Sequence, residues 1–335
     1  MSYSSPLFSR LMKLALAAAA EVRVERVRFG SHTTAVVLSD GRLGLAMHFD
    51  RSPAGEGRDH AEALMAGRPA RDLVSMLGST VALESSVAVA CINALEPGGP
   101  VRSAGLMEPG GPVRSAGLME PGGPERSAGQ MEPGGPERSA GQMEPGGPVR
   151  SAGLMEPGGP ERSAGQMEPG GPVRSGGPVR SGGAGRPGHF LDVMDLRPDD
   201  TLGMIGNFIP LLERLRPRVR DLLVFEQIEE EVDGILPASR EPELLPTCSA
   251  VVISGTTLVN HTLDGLLSLC TGAREVVLAG PSTILFAEAY RGTPVTWIAG
   301  ARVHSPEEVL PRIAADFSFH DLRPFLHKIL MPVGR

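Results

Sequence analysis

Aromatic side chains are scarce in this 335-residue chain: ten Phe, two Tyr and one Trp, or 4%. That argues against a surface built to stack nucleic-acid bases. A basic excess is missing too, since 32 Lys and Arg face 39 Asp and Glu for a net charge of −7. Binding by phosphate neutralisation over a basic face is therefore disfavoured. Cysteine is limited to Cys91, Cys248 and Cys270, an odd number without a C-x-x-C pair. Neither a disulfide framework nor a structural zinc site follows, and each Cys reads as a small core residue. No run approaches 18 apolar residues, so no membrane span is expected. Arg10 and Lys13 ahead of LALAAAA imitate a signal peptide weakly, but the run is short and Glu21 follows. Leu7, Leu11, Leu14 and Ala18 at helical spacing predict an amphipathic first helix instead. The expectation is a cytoplasmic protein without nucleic-acid or membrane partners, its oligomeric state left open.

Nucleophile motifs are also absent: no G-x-S-x-G occurs, and no Cys–His spacing carries mechanistic meaning. Of the eight histidines, His60, His189 and His261 lie near loops, but none is paired at metal spacing.

Glycine and proline, by contrast, are abundant, at 43 and 31. The excess is local. From Glu96 to Met167 the unit EPGGPVRSAGLM repeats six times, and a degenerate tail runs on to Pro187. This block holds 25 of the glycines and 16 of the prolines. Three copies read Val…Leu and three read Glu…Gln, as recent tandem duplication of a twelve-codon unit would leave them. A core position would not accept Leu and Gln alike. Each unit has too little to bury to offset chain entropy, and Gly does not recur every third residue as in collagen. The expectation is a disordered insert over 96–187, tolerable because loop-closure cost grows only logarithmically with length. A partner-binding repeat is the alternative.

Before the insert, residues 1–95 read as a small α+β domain. Val22 to Phe29 and Thr33 to Ser39 are β-branched runs. Asp40-Gly41 is a hairpin signal before a third strand, Leu43 to His48. Residues 50–60 read as a loop. Helices are predicted over Ala70 to Leu77 and Leu83 to Leu95, the second carrying a polar Asn93 in an apolar setting.

After it, residues 188–335 alternate. Strands are predicted at Leu202–Ile205, Leu222–Phe225, Ala250–Ser254, Glu275–Ala279 and Val295–Ala299. Helices fall within Pro210–Val219, Val259–Cys270, Ile284–Tyr290 and Pro306–Ala315, the last with Ser305 as N-cap. Continuous apolar strands between helices imply a parallel sheet covered on both faces. Ligands then bind beyond the carboxyl ends of the strands. That places Gly206, Asn207, Phe208, Glu226, Gly255, Thr256, Thr257, Gly280, Pro281, Ser282 and Gly300 at the candidate cleft. Glu226 stands twenty residues beyond Gly206, where a dinucleotide fold puts its ribose-binding acid. The first turn reads GMIGNF and lacks the full glycine fingerprint, which disfavours a nicotinamide dinucleotide. SGTTLVN and AGPST place Gly and hydroxyl residues where backbone N–H groups suit an anion.

VVISGTTLVNHTLDGLL, VVLAGPST and PVTWIAGARV together resemble the DUF364 family, described as “putative heavy-metal chelation”. Its upstream partner, DUF4213, resembles the N-terminal domain of enolase, and VRFGSHTTAVVLSDGRLGLAM, VAVACINAL and FLDVMDLRPDDTLGMIGNFIPLLERL are similar to that two-domain pattern. The resemblance covers nearly the whole chain outside the insert. It implies an α/β fold: a Rossmann-like parallel-sheet domain preceded by a small enolase-N-terminal-like α+β domain, with a site at their junction. By motif match, Asn93, Gly206, Phe208, Pro210, Glu226, Gly255, Thr256, Thr257, Asn260, Thr262, Gly280, Pro281 and Ser282 fall on its pattern. Enolase's metal ligands and catalytic base are not implied. The repeat block departs from the family, which has a short connection there.

Three hypotheses follow. In the first, the chain chelates a heavy metal or handles a metal–chelate complex. Glu226 and scattered His give a metal few donors, so an organic chelator in the cleft fits better than an all-protein site. In the second, the chain is an enzyme acting on a nucleotide-bearing or phosphorylated small molecule. In the third, the repeat is the functional part of a scaffold. The sequence names neither a metal-ligand set nor a catalytic residue.

Overall fold

The computed structural model describes residues 5–48, 56–95, 185–206 and 208–334. All but the last three positions of the repeat block, and Asn207, lie outside the described residues.

Ser5 opens the first helix, α1 (Pro6–Ala18): its Oγ accepts from the Phe8 N–H at 3.1 Å, and a proline sits in the first turn. Leu7, Leu11 and Ala15 are buried on one side. Three antiparallel strands follow as a meander, β1 (Val24–Phe29), β2 (Thr33–Leu38) and β3 (Leu43–Met47). Asp40-Gly41 makes the β2–β3 turn, with Gly41 at φ +84°. Next come α2 (Glu56–Met65), α3 (Ala70–Val74) and α4 (Ala82–Ala94). Residues 56–60, expected as loop, are thus helical; EGRDHAEALM is rich in helix formers, and Glu62 anchors it by accepting from the Phe29 N–H at 2.7 Å.

β2 is buried at every position, because its sheet is covered twice. Val36, Leu38, Gly44 and Ala46 face α4 and the main core. Ala35, Val37, Leu43 and Leu45 face the other way, onto Val309, Ile313 and Leu322 from the end of the chain. Alternation of period two thus serves two cores, not a core and solvent.

The second sheet has eight strands in the order β4-β11-β10-β9-β8-β5-β6-β7. Their ranges are β4 (Arg186–Pro187), β5 (Thr201–Ile205), β6 (Asp221–Glu226), β7 (Ile235–Pro237), β8 (Ala250–Ser254), β9 (Glu275–Ala279), β10 (Trp297–Val303) and β11 (Leu326–Pro332). Strands β5 to β10 are mutually parallel; β11 runs antiparallel to β10, and β4 to β11. The helices are α5 (Ile209–Leu215), α6 (Glu241–Leu244), α7 (Leu263–Leu269), α8 (Pro306–Ala314) and α9 (Phe319–Leu322). Leu202, Met204, Ala250, Val252, Val277 and Ala279 point to one face, with Phe190, Leu211 and Leu215 over them. Val251, Ile253, Val276 and Leu278 point to the other, into the core shared with α4. The continuous apolar strands are those buried on both sides.

Several details depart from the sequence reading. Arg186–Pro187, assigned above to the repeat tail, pair with β11. Ile284–Tyr290, read as a helix, forms only a 3₁₀ turn over Ala287–Tyr290. Ile284, Leu285 and Phe286 are all buried, so that segment has no polar helix face. Ser305 precedes α8 but does not cap it; its Oγ bonds His304 Nδ1 at 2.9 Å. Among the described residues, no helix is long and apolar enough to cross a membrane.

Candidate functional site

The parallel strands run outward from β5 in both directions, β6 and β7 on one side and β8, β9 and β10 on the other. Loops leaving β5 and β8 therefore diverge, and the gap beyond their carboxyl ends is where such sheets hold ligands. A cavity of about 470 Å³ occupies it. Ile205, Phe208, Leu211, Phe225 and Leu266 give it an apolar lining. Gly206 (φ +94°) and Gly280 (φ +120°) bring backbone to its surface in conformations that L side chains rarely adopt. Met47, at the end of β3, is the one lining residue from the N-terminal sheet.

The structure brings together Gly206, Phe208, Glu226, Thr256, Thr257, Asn260, Gly280, Pro281 and Gly300 on this cavity. Asn207 is not among the described residues. Asn93, Gly255 and Ser282 do not line it. They build its floor from behind. Ser282 is fully buried and its Oγ accepts from the Met47 N–H at 2.7 Å. Asn93 Nδ2 donates to Leu45 O at 2.9 Å and Pro281 O at 3.1 Å, joining β3 to the Gly280 loop through α4. Gly255 packs under that loop; a Cβ there would lie 2.5 Å from Thr283 N.

The hydroxyls expected to meet an anion are engaged locally. Ser254 Oγ accepts from the Thr256 N–H and shares a 2.8 Å hydrogen bond with Thr256 Oγ1. Thr257 Oγ1 donates to Ser254 O at 2.7 Å, and Asn260 Oδ1 accepts from Thr262 N and Oγ1. Residues Gly255–Leu258 form a single 3₁₀ turn and α7 starts only at Leu263, so no helix N-terminus points from the GTT loop.

Of the charged part of the lining, the sequence placed only Glu226 at the cleft. At one side, Glu226 ends β6 and Glu241 opens α6. Burial pushes the Glu241 carboxyl up to about 7. At the other side stand His189, His320, Arg323 and Lys328. Burial, then the positive charge of Lys328, brings His189 down to about 4. Its Nδ1 accepts from the Leu191 N–H at 3.2 Å, so the neutral ring carries its hydrogen on Nε2. Lys328, an exposed residue whose ammonium is only partly desolvated, is lowered as well, first by that desolvation and then by Arg323 and Arg214. Among the described residues, no group of three or more His, Cys, Asp or Glu could hold a metal ion. Among the described residues, the cavity's metal donors are the carboxylates Glu226 and Glu241 on one side and the imidazoles His189 and His320 on the other, and no three of them are grouped as an all-protein centre needs.

Two family models match the chain. DUF4213, “Putative heavy-metal chelation”, covers residues 12–96, and DUF364, under the same description, covers residues 189–332. An uncharacterized protein of Methanocaldococcus jannaschii is 35% identical over 119 residues, 34% of this chain and 46% of that protein. The chain thus spans about half the length of the curated relative it matches. Two crystal structures of DUF364 proteins with unknown function share the fold. One, from Pyrococcus horikoshii, has a TM-score of 0.61 at 18% identity and covers 98% of this chain and 100% of its own. The other, from Desulfitobacterium hafniense, has a TM-score of 0.58 at 16% identity, covering 97% and 99%.

Proposed function

Because the chain belongs to the DUF364 family and carries a DUF4213 domain ahead of it, we propose that it binds a small organic chelator, or the metal complex of one, in the cavity beyond β5 and β8. The observation that carries this reading is the donor count. The cavity is large enough for a cofactor-sized molecule and lined mainly by apolar groups. Among the described residues, its two carboxylates and two imidazoles do not gather three together, so the metal's remaining ligands come from the organic molecule. Glu226 and Glu241 then accept hydrogen bonds from it or contribute one or two oxygens to the ion.

We read the C-terminal sheet as Rossmann-like and the N-terminal unit as enolase-N-terminal-like. Support for the first is the strand order: counted from β5, the parallel run reads 3-2-1-4-5-6. That order favours a second reading, an enzyme acting on a nucleotide-bearing or phosphorylated molecule, with Glu226 at the ribose.

Native mass spectrometry with elemental analysis of the freshly purified full-length protein separates the two. The chelate reading expects an organic adduct and a metal in equal amounts, lost together on mild denaturation. A metal-free nucleotide adduct would overturn it in favour of the enzyme. Tight binding of Ni²⁺ or Co²⁺ with no organic molecule present would overturn it in favour of a direct metal site.

A further inference from the structure

The cavity has a wall that the sequence motifs supply only in part, β10 lying within PVTWIAGARV and β11 in none of them. β10 pairs with β9 only over Trp297–Ala299, yet continues to Val303. Its last four residues, Gly300 to Val303, project past the sheet with β11 as their partner. β11 runs antiparallel, so its first half lies at the carboxyl ends of the parallel strands. Lys328 faces Ala301 in this arm, and Leu326 faces Val303. The turn before β11 adds Arg323, and α9 adds His320. From the other side of β11, beyond β4, comes His189.

We infer that this arm is an oxyanion subsite, and that the cavity's ligand carries a phosphate or carboxylate group held by Lys328 and Arg323, with His189 as a neutral N–H donor. The inference rests on the cavity being the ligand site proposed above and names one end of that ligand. Three observations carry it. First, Arg323 and Lys328 line the cavity, and among the described residues neither is paired with a carboxylate. Second, the cations are close enough to repel one another: Arg323 and Arg214 both act on Lys328 and on His189. The acid near them, Asp192, accepts from the His189 backbone N–H at 2.9 Å, capping the turn that follows. Asp192 offsets part of this charge on both groups, but three cations act here against that one acid, and the net positive charge on the lining of an acidic protein's cavity is relieved by an anion from solution. Third, Glu226 and Glu241 are assigned to a different part of the same lining, on β6 and α6 across the sheet from the arm. A ligand spanning the cavity meets acceptors at one end and donors at the other. Its chemistry is therefore bipolar: hydroxyl, amine or metal ion toward Glu226, oxyanion toward Lys328.

Calorimetric titration of the full chain tests this with inorganic phosphate, pyrophosphate and citrate as probes, up to the millimolar range. The proteins are wild type, the double variant K328A/R323A, and R26A. Both cations are exposed, so the double variant is expected to keep the wild-type thermal midpoint. The expected result is saturable binding of at least one probe, weakened at least tenfold in K328A/R323A and unchanged in R26A, which removes an exposed cation on β1 away from the cavity. Preference for pyrophosphate assigns a phosphate ester, and preference for citrate assigns a carboxylate arm. No saturable binding of any probe, or affinity within twofold of wild type in the double variant, overturns the inference. The two proposals fail separately. Anion binding that depends on Lys328 and Arg323, without any chelate adduct in native mass spectrometry, sinks the chelate reading alone. A chelate adduct at full occupancy in K328A/R323A sinks the subsite alone.

Discussion

Replacing Gly44 with alanine should separate the small sheet from α4. A Cβ at this position would lie 2.1 Å from Ala90 O, 2.3 Å from Ala94 N and 2.7 Å from Asn93 C. All three are helix backbone atoms, so no side-chain rotation relieves the clash. Comfortable carbon contacts begin near about 3.5 Å, which means α4 must retreat by more than about 1 Å over its last turn. Nine of its thirteen residues are buried, so the retreat loosens packing on several sides at once. Overpacking usually costs about 1–3 kcal/mol, and a backbone-on-backbone clash belongs at or above the top of that range. For a folded unit of this size, about 3 kcal/mol lowers the melting temperature by roughly 6–12 °C. Gly265 is the matched control. It sits within α7, exposed, and a Cβ added there would meet nothing within 4 Å. Gly265→Ala should stabilise by about 0.5–1 kcal/mol through helix propensity alone. Urea unfolding of both variants, with m-values checked against wild type, gives the comparison. G44A within about 1 kcal/mol of wild type, or both variants shifting in the same direction, would refute the packing argument. The functional corollary is that G44A also disturbs Asn93, whose amide holds Pro281 at the cavity floor.

Two predictions concern titrating groups. Asp200, nearly buried at the amino end of β5, accepts from Arg274, from Ser249 Oγ and from the Arg197 N–H. The Arg274 guanidinium, aided by the other donors, holds its carboxyl well below the usual range. Its folded pKa is depressed, so its contribution is full above the unfolded value of about 3.9 and fades as pH falls below it. Asp200→Asn should therefore destabilise strongly at pH 7 by thermal melting, with the gap to wild type narrowing below pH 4; a gap independent of pH would count against it. Glu241 has the opposite sign. Burial raises it to about 7, so ionisation opposes folding as pH rises from its ordinary value of 4.5. Glu241→Gln should melt higher than wild type at pH 8 and match it near pH 4.5; equal melting temperatures at both would show that Glu241 is solvated.

Much of the sheet was legible because its central strands are buried on both faces and read as unbroken apolar runs: AVVIS for β8 and EVVLA for β9 are examples. Elements at the edges left weaker traces. β7 is three residues long, and β11 reads LHKILMP, where His327 and Lys328 interrupt the pattern of a strand. Missing β11 meant missing the cationic wall of the cavity, since Lys328 reaches it only by pairing with β10. Glycines at strand ends pointed to the right edge of the sheet because turns there need them. Which of the loop residues face the cavity was not legible. Ser282 and Thr256 have similar chemistry and similar positions after a strand, yet the first is sealed beneath Met47 and the second lines the cavity. That difference depends on β3, some 235 residues away in sequence.

The second cover of the small sheet sets an order of events during synthesis. Ala35, Val37, Leu43 and Leu45 are complete early, but Val309, Ile313 and Leu322, which bury them, are made about 260 residues later. At typical rates of roughly 5–20 residues per second, that face stays uncovered for tens of seconds on the ribosome. A fragment ending at the repeat block would keep the sheet, α4 and the α1 helix, yet leave one side of β2 and β3 bare. The first 95 residues thus leave one sheet face to be covered by α8 and α9. The repeat block separates two segments that must still find each other, and every added copy lengthens the wait.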